Sequence, residues 1–428
     1  MRKLNIAIIG LGNIGSYLFK YLNDNKKILT KKNNCLPFIK YVSARNKKKK
    51  RNIRIKSSQW LNNYLDATKF QDVDLIVELI GGSEGPAKKL VFNALKNKKH
   101  VVTANKALIA KYGDQLARIA EKNKVNLEFE ASVCGGVPII RSLKESLIAN
   151  KISKIYGIFN GTSNYILSSM DKENKNFQEI LSTAKKLGYA ETNPSSDING
   201  DDVSAKLKIL SSLCFNSFLN NNIYVEGIKE IDSTDIDNAN KLGYKIKLLG
   251  FAELINNNIY QRVHPALIKK DSYVASIDGV LNAVIIDGKP VGQSIIQGEG
   301  AGAEATTSAL ISDISSILRG NIKFPFSISS MERKKLKFKT INERFFSAYL
   351  RFEVMDKPGV LSNITSIFSK NKVSIKRLVQ NPNKIKKNSS IIIITHKSKN
   401  KSLNKILKEI SKKNFIKKKP KLIRIDDN

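Results

Sequence analysis

Short, wholly apolar runs alternate with amphipathic ones along the first third of the chain. "LNIAIIG" (residues 4–10), "FIKYVSA" (38–44), "VDLIVELIGG" (73–82), "HVVTANK" (100–106) and "VNLEFEASV" (125–133) read as buried strands. "GNIGSYLFKYL", "PAKKLVFNALKN" and residues 107–123 between them have helical spacing. Continuous apolar strands separated by helices predict a parallel, doubly wound sheet of the α/β class. Residues 23–34 look like a loop inserted before the second strand. From about Val133 the texture changes. "PIIRSLKESLIAN" predicts a helix, "KISKIYGIFN" a strand, and residues 176–188 and 201–215 two more helices. "YVEGIKEI", "LLGFAELI", "IYQRVHPALI" and "VLNAVIIDG" then read as strands of an open sheet, an α+β arrangement. A helix over 303–320 closes this part and is expected to pack back on the first. The last segment gives strand, "DKPG" turn, helix, two strands, helix and strand, the βαββαβ order of a ferredoxin-like unit. The expected divisions are 1–132, 133–325, a linker over 326–343, and 344–428.

Composition changes this picture in one respect. Of 428 residues, 41% are hydrophobic and 26% charged, ordinary values that allow a sizeable core. No apolar run is long enough to span a membrane, and the N-terminal apolar stretch is too short for a signal peptide. Cys35, Cys134 and Cys214 are too far apart for a metal pair or a disulfide framework, which fits a reducing cytoplasm. The net charge of +37 is the anomaly. Aromatics are not interleaved with the basic runs and no nucleic-acid motif occurs, so drift toward Lys, Asn and Ile explains it better than a nucleic-acid partner.

"GLGNIG" supplies the first chemistry. Gly10 permits a tight turn, Gly12 lets backbone approach a pyrophosphate, and Gly15 lets helix pack on strand, while the amides of Asn13 and Ile14 open the helix. A dinucleotide is the expected ligand. The second strand ends in "SARNKKKKR" with Arg45 and no carboxylate, so NADP is expected over NAD.

The second chemistry lies in "LGYAETNPSSDINGDDVSAKLKIL", where a cationic protein gathers Glu191, Asp197, Asp201 and Asp202 ahead of Lys206. Transfer of hydride between alcohol and carbonyl needs a proton carrier. His100, His264 and His396 each sit in strand patterns or in the tail, which leaves a lysine or a carboxylate. Asp202 and Lys206 stand i,i+4 on one helix, with Asn199–Gly200 breaking the helix before them. The same spacing also describes a surface ion pair worth about 0.3–0.5 kcal/mol.

Residues 184–206, "AKKLGYAETNPSSDINGDDVSAK", resemble the signature of homoserine dehydrogenases. "GLGNIG", "ELIGG", "VVTANKALIA", "EASVCGGVPII", "GIFNGTSNYIL" and "GEGAGAEATTSALISD" follow in that family's order. The tail from about Arg344 resembles an ACT regulatory domain. The resemblance implies reversible NAD(P)-dependent reduction of L-aspartate 4-semialdehyde to L-homoserine, the branch toward threonine, methionine and isoleucine. It implies a Rossmann-type domain over 1–132, a catalytic and dimerisation domain over 133–325, and a homodimer or homotetramer. It places the proton-donating lysine at Lys206, a second active-site lysine at Lys106, and substrate carboxylates at Glu191 and Asp202. Gly188 and Gly302 match glycines near the nicotinamide. Glu130, Val133, Gly135 and Val137 match a site for sodium or potassium. Two clustered ammoniums are expected to lower each other's pKa. The tail implies L-threonine as an allosteric ligand beside the turn of Asp356, Pro358 and Gly359, with dimerisation alone as the alternative. No fused aspartate kinase is expected, since the glycine loop begins at residue 10.

Overall fold

The computed structural model describes residues 2–383 and 388–426; the lysine-rich centre of the "PNKIKKNSS" segment, 384–387, lies outside the described residues. Strands β1 (Arg2–Ile9), β2 (Cys35–Ser43), β3 (Leu75–Glu78), β4 (His100–Thr103) and β5 (Leu127–Glu128) form a parallel sheet in the order β2-β1-β3-β4-β5. Its apolar runs are explained by burial on both faces. Within β1, Ile6 and Ile8 enter one core while Ala7 and Ile9 enter the other, the two-residue alternation of a strand. The first core lies under α1 (Asn13–Asp24); α3 (Pro86–Lys96) and α4 (Lys106–Asn123) cover the second. The strand order reverses beside β1, and the crevice beyond the carboxyl ends at such a point is where ligands bind in these sheets.

The expected loop over 23–34 is instead a helix, α2 (Lys26–Asn33). Its lysines hide the pattern, but Leu29 is buried and Asn34 closes the helix in the left-handed conformation at φ 49°. The fifth strand is shorter than predicted and ends in a single tight turn over Glu130–Ser132. The helix expected from "PIIRSLKESLIAN" is one short turn, α5 (Ile139–Arg141), followed by a wide π-type turn (Ser142–Ser146). That turn directs Lys144 inward, 2.8 Å from Glu128.

The second sheet begins with β6 (Lys151–Ile158) and is covered by α6 (Gly161–Glu173), α7 (Phe177–Lys186), the short α8 (Ser195–Asn199), α9 (Asp201–Cys214) and α10 (Ser233–Lys241). Only Tyr224–Val225 (β7) of the expected "YVEGIKEI" strand is extended. Long hairpins follow: β8 (Tyr244–Ile255) with β9 (Asn258–Lys269), then β10 (Leu281–Lys289) with β11 (Gly292–Glu299). Helix α11 (Ala303–Leu318) returns to the first sheet, where Leu310, Ile314 and Ile317 join the core beneath β1.

After the two-residue β12 (Lys337–Phe338), the tail has the βαββαβ order read from sequence. It comprises β13 (Phe345–Met355), α12 (Val360–Lys370), β14 (Ile375–Asn383), β15 (Asn388–Thr395), the two-residue β16 (Ser398–Lys399), α13 (Asn400–Ile410) and β17 (Lys421–Asp426). Its sheet is not separate. β17 pairs in parallel with β9, Ile425 opposite Leu267, so the path β11-β10-β6-β8-β9-β17-β13-β15-β14 runs unbroken. Arg351 of β13 reaches Asp235 at 2.8 Å and Asp232 at 2.6 Å, tying the tail to α10. Among the described residues no helix is long and apolar enough to cross a membrane.

Candidate active site

The glycine loop folds as its spacing requires. Gly10 has φ +109°, and a Cβ there would lie 2.4 Å from the Leu79 carbonyl oxygen. A Cβ on Gly15 would stand 2.0 Å from the Gly10 oxygen. Gly12 has nothing within 4 Å of the equivalent point. It caps α1 without a side-chain bond, and the first turn holds no acid, so the leading amides are available to an anion. Helix α11 also starts without a side-chain cap, after Gly302, which is open and at φ +113°, although its first turn carries Glu304. Gly12, Asn13 and Ala303 border one cavity of about 370 Å3, so two helix N-termini meet there. Ile14 instead packs on the core beneath.

The basic side of that cavity differs from the sequence expectation. Arg45 is exposed, with no hydrogen bond or ion pair among the described residues, and is not on the cavity wall. Lys49, Lys50 and Arg51 are. Arg51 donates to the carbonyls of Leu11 (2.9 Å), Lys49 (2.8 Å) and Asn46 (2.9 Å), and lies 5.7 Å from the Trp60 ring. It fastens the basic loop to the glycine loop. The run of five cations hid which one folds inward.

Lys106 begins α4 at the carboxyl end of β4. Its position is set by a buried chain of hydrogen bonds. Glu78 accepts from the Thr103 hydroxyl (2.6 Å), Thr103 accepts from the Asn105 amide (3.0 Å), and the Asn105 side chain caps Leu108 N (3.1 Å) and donates to the Gly82 carbonyl (2.7 Å). "ELIGG" and "TANK" are thus one unit.

Asp202 is the centre of the cluster. Gly200, at φ +87°, ends α8 and starts α9, which places Asp202 in the first turn and Lys206 one turn on. Asp202 Oδ1 lies 2.8 Å from Lys106 Nζ and Oδ2 lies 2.8 Å from Lys206 Nζ. Asn160, the N-cap of α6, donates to both Asp202 (2.9 Å) and Asp197 (2.7 Å). Lys206 also donates to the Phe159 carbonyl at 2.6 Å. Two of its three N–H donors are therefore engaged, and one remains. The Lys206 and Asp202 side chains are 10% and 5% exposed, so theirs is no surface ion pair, while Lys106 is 42% exposed.

Electrostatics correct one expectation. Lys206 is not depressed, because Asp202 stands 2.8 Å from it. Burial disfavours the Lys206 charge, but Asp202 outweighs it and holds the amine above the ordinary lysine value. Burial opposes the Asp202 charge as well, yet Lys206 and Lys106 hold its carboxyl well below the usual range. Asp197 is raised, by burial and then by repulsion from Asp202.

Other expected residues lie apart. Glu191 is exposed in the irregular segment between α7 and α8, and no hydrogen bond or ion pair joins it to the cluster. Gly188 (φ +76°) is open at the start of that segment. Glu130, Val133, Gly135 and Val137 lie in one buried turn with left-handed backbone at Cys134 (φ 54°) and Gly135 (φ 23°). The Glu130 carboxylate accepts from the amides of Ile140 (2.9 Å) and Arg141 (2.6 Å), while burial pushes its pKa up to about 7. The carbonyls of Glu130 and Val137 already accept from Val133 (3.3 Å) and Ile139 (2.7 Å). Among the described residues no three His, Cys, Asp or Glu side chains gather as a metal site. Sequence reasoning assigned no role to Asn105, Asn160 or Arg51. Both asparagines sit just before helical runs inside motifs it did single out, which is the usual mark of an N-cap.

Residues 10–130 match the family described as "Homoserine dehydrogenase, NAD binding domain", 138–315 match "Homoserine dehydrogenase", and 348–414 match the ACT domain. The chain is 37% identical to a homoserine dehydrogenase of Neisseria gonorrhoeae over 100% of this chain and 99% of the relative. It is 38% identical to one of Helicobacter pylori over 100% of both. A solved homoserine dehydrogenase from Thiobacillus denitrificans superposes with TM-score 0.93 at 36% identity, covering 100% of this chain and 99% of that one. A hyperthermophilic archaeal homoserine dehydrogenase in complex with NADPH gives TM-score 0.63 at 26% identity over 73% of this chain and 97% of that one.

Proposed function

The chain belongs to the homoserine dehydrogenase family and is an oxidoreductase of the CH–OH group, and on that premise we propose that Lys206 exchanges a proton with the substrate oxygen while NADP and L-homoserine are interconverted with NADPH and L-aspartate 4-semialdehyde. The observation that carries this reading is the Lys106–Asp202–Lys206 bridge, with both contacts at 2.8 Å and Lys106 standing at the carboxyl end of the parallel sheet.

The cofactor fits the residues present. Open Gly12, two uncapped helix N-termini and the Lys49–Arg51 segment suit a pyrophosphate and a 2′-phosphate. When bound, the nicotinamide supplies or accepts the hydride. The remaining work falls to side chains. In the reducing direction, the free N–H of Lys206 bonds the aldehyde oxygen and yields its proton as negative charge develops there. Asp202 fixes the direction of that amine and balances its charge. Lys106, the more exposed of the two, adds a second positive charge at the rim. Glu191 opposes the substrate's α-ammonium, a role consistent with its unpaired, exposed carboxylate. In the oxidising direction a neutral Lys206 takes the hydroxyl proton.

The same reading keeps the first sheet as the nucleotide domain, the middle of the chain for catalysis and dimerisation, and the tail for threonine. It also keeps a sodium or potassium ion at Glu130, Val133, Gly135 and Val137, supported by the buried turn that places them together. Reduction of NADP by L-homoserine, measured beside NAD, tests the whole. Faster turnover with NADP is expected; no reduction of either would contradict it.

A further inference from the structure

The positive charge left over by the sequence reading converges in space. A second cavity, about 1010 Å3, opens along the outer strand β2 and is lined by Lys3, Lys20, Lys26, Lys40, Arg54 and Lys56, against one acid, Asp24. Lys40 is neutralised by Asp72 at 2.9 Å. Among the described residues no ion pair engages the other five. The fold also brings aromatics to the lysines, which the order of residues did not show. Lys3 Nζ lies 3.9 Å and Lys26 Nζ 5.3 Å from the centroid of the same ring, Phe38. Two ammoniums held on one ring, with no counter-ion, favour an anion passing between them.

This groove adjoins the dinucleotide cavity. Lys20, Asn52 and Ile53 line both. We infer that the groove is an electrostatic approach channel that captures the phosphates of the dinucleotide and passes them to the glycine loop. This rests on the dinucleotide reading above. A cleft lined by one sign of charge focuses its field outward and raises association rates by about 10–10³-fold, an effect that salt suppresses. A phosphomonoester brings about −1.5 to −2 charge near neutral pH. NADPH therefore gains more from the channel than NADH. The Phe38 ring is covered by Lys3 and Lys26 rather than free to stack on a base, which favours a small phosphate ligand over single-stranded nucleic acid.

Trp60, the single tryptophan, stands against Arg51, which lines the cofactor cavity, and serves as the stopped-flow fluorescence probe of binding. The full chain is compared with a variant combining Lys3→Gln, Lys26→Gln, Arg54→Gln and Lys56→Gln. At low salt its NADPH association rate falls about tenfold, while dissociation changes less than about twofold and turnover at saturating NADPH is unchanged. The dependence of the association rate on ionic strength flattens. A charge-keeping variant, Lys3→Arg with Lys26→Arg and Lys56→Arg, associates as the parent does, which separates charge from folding. An unchanged association rate, or a loss confined to dissociation, overturns the channel. So does loss of labelled single-stranded RNA binding in the Gln variant with NADPH association intact, which assigns the groove to nucleic acid. If the parent chain itself fails to bind NADPH, the dinucleotide reading fails instead.

Discussion

One carboxylate is shared by two lysines at the centre of this site. Asp202 is nearly dry, and Lys106 and Lys206, each 2.8 Å away, sustain its charge together with the hydrogen bond from Asn160. The folded carboxyl titrates below its unfolded value of about 3.9. Its stabilisation is therefore present above that value and lost as pH falls through the lower folded one. Lys206 is raised, so its share is present below about 10.4 and lost as pH rises through the folded value. Asp202→Asn removes the charge that raises Lys206. On the proposed mechanism, in which homoserine oxidation draws on neutral Lys206, its alkaline rise in that variant shifts to lower pH; a kcat/KM profile that does not move separates Asp202 from the titration. The same change leaves a buried ammonium without its counter-charge and costs about 3–5 kcal/mol by denaturant unfolding. At this scale the sequence was readable where spacing sets contact, as for Asp202 and Lys206. It was silent on Asn160 and the Phe159 carbonyl, whose approach depends on how β6 and α6 pack against α9.

The elements show why some segments were legible and others not. Apolar runs announced β1, β3 and β4 because both faces of those strands are covered. Helix α2 was hidden by its lysines, since one buried leucine is too little to make a pattern. The hairpin strand β11 alternates exposed and half-buried positions, with no apolar run to mark it. The glycine loop makes opposite predictions for two neighbours. Gly15→Ala places a methyl 2.0 Å from the Gly10 oxygen and cannot fit without parting α1 from β1, so the melting temperature falls. Gly12→Ala meets nothing within 4 Å at an ordinary φ of −76°, so stability holds. On the proposed cofactor reading, however, it fills the space of the pyrophosphate, and NADPH affinity falls at least about tenfold, the outcome expected where backbone must approach phosphate. Calorimetry with cofactor titration reads both. Asn105→Ala removes the cap beneath Lys106 and costs about 1 kcal/mol, seen in thermal unfolding.

For the molecule as a whole, the joint between tail and catalytic sheet was the least legible feature. The βαββαβ order was plain, but nothing in "KLIRID" says that β17 will also pair with β9. Partner choice between strands lies in three-dimensional register rather than in local pattern. Ending the chain near Arg344 strips β9 of that neighbour and exposes the buried Arg262–Glu253 pair, so the shortened protein melts earlier and aggregates. The proposed threonine control is better tested on the full chain, where millimolar threonine is expected to slow homoserine oxidation; equal rates with and without it assign the tail to assembly. Every level of organisation converges on one amine, and the most direct test is the turnover of Lys206→Ala with saturating NADP and L-homoserine, beside its NADP affinity. The account predicts a loss of at least about 10²-fold in turnover with affinity within about twofold of the parent, whereas near-parental turnover would contradict it.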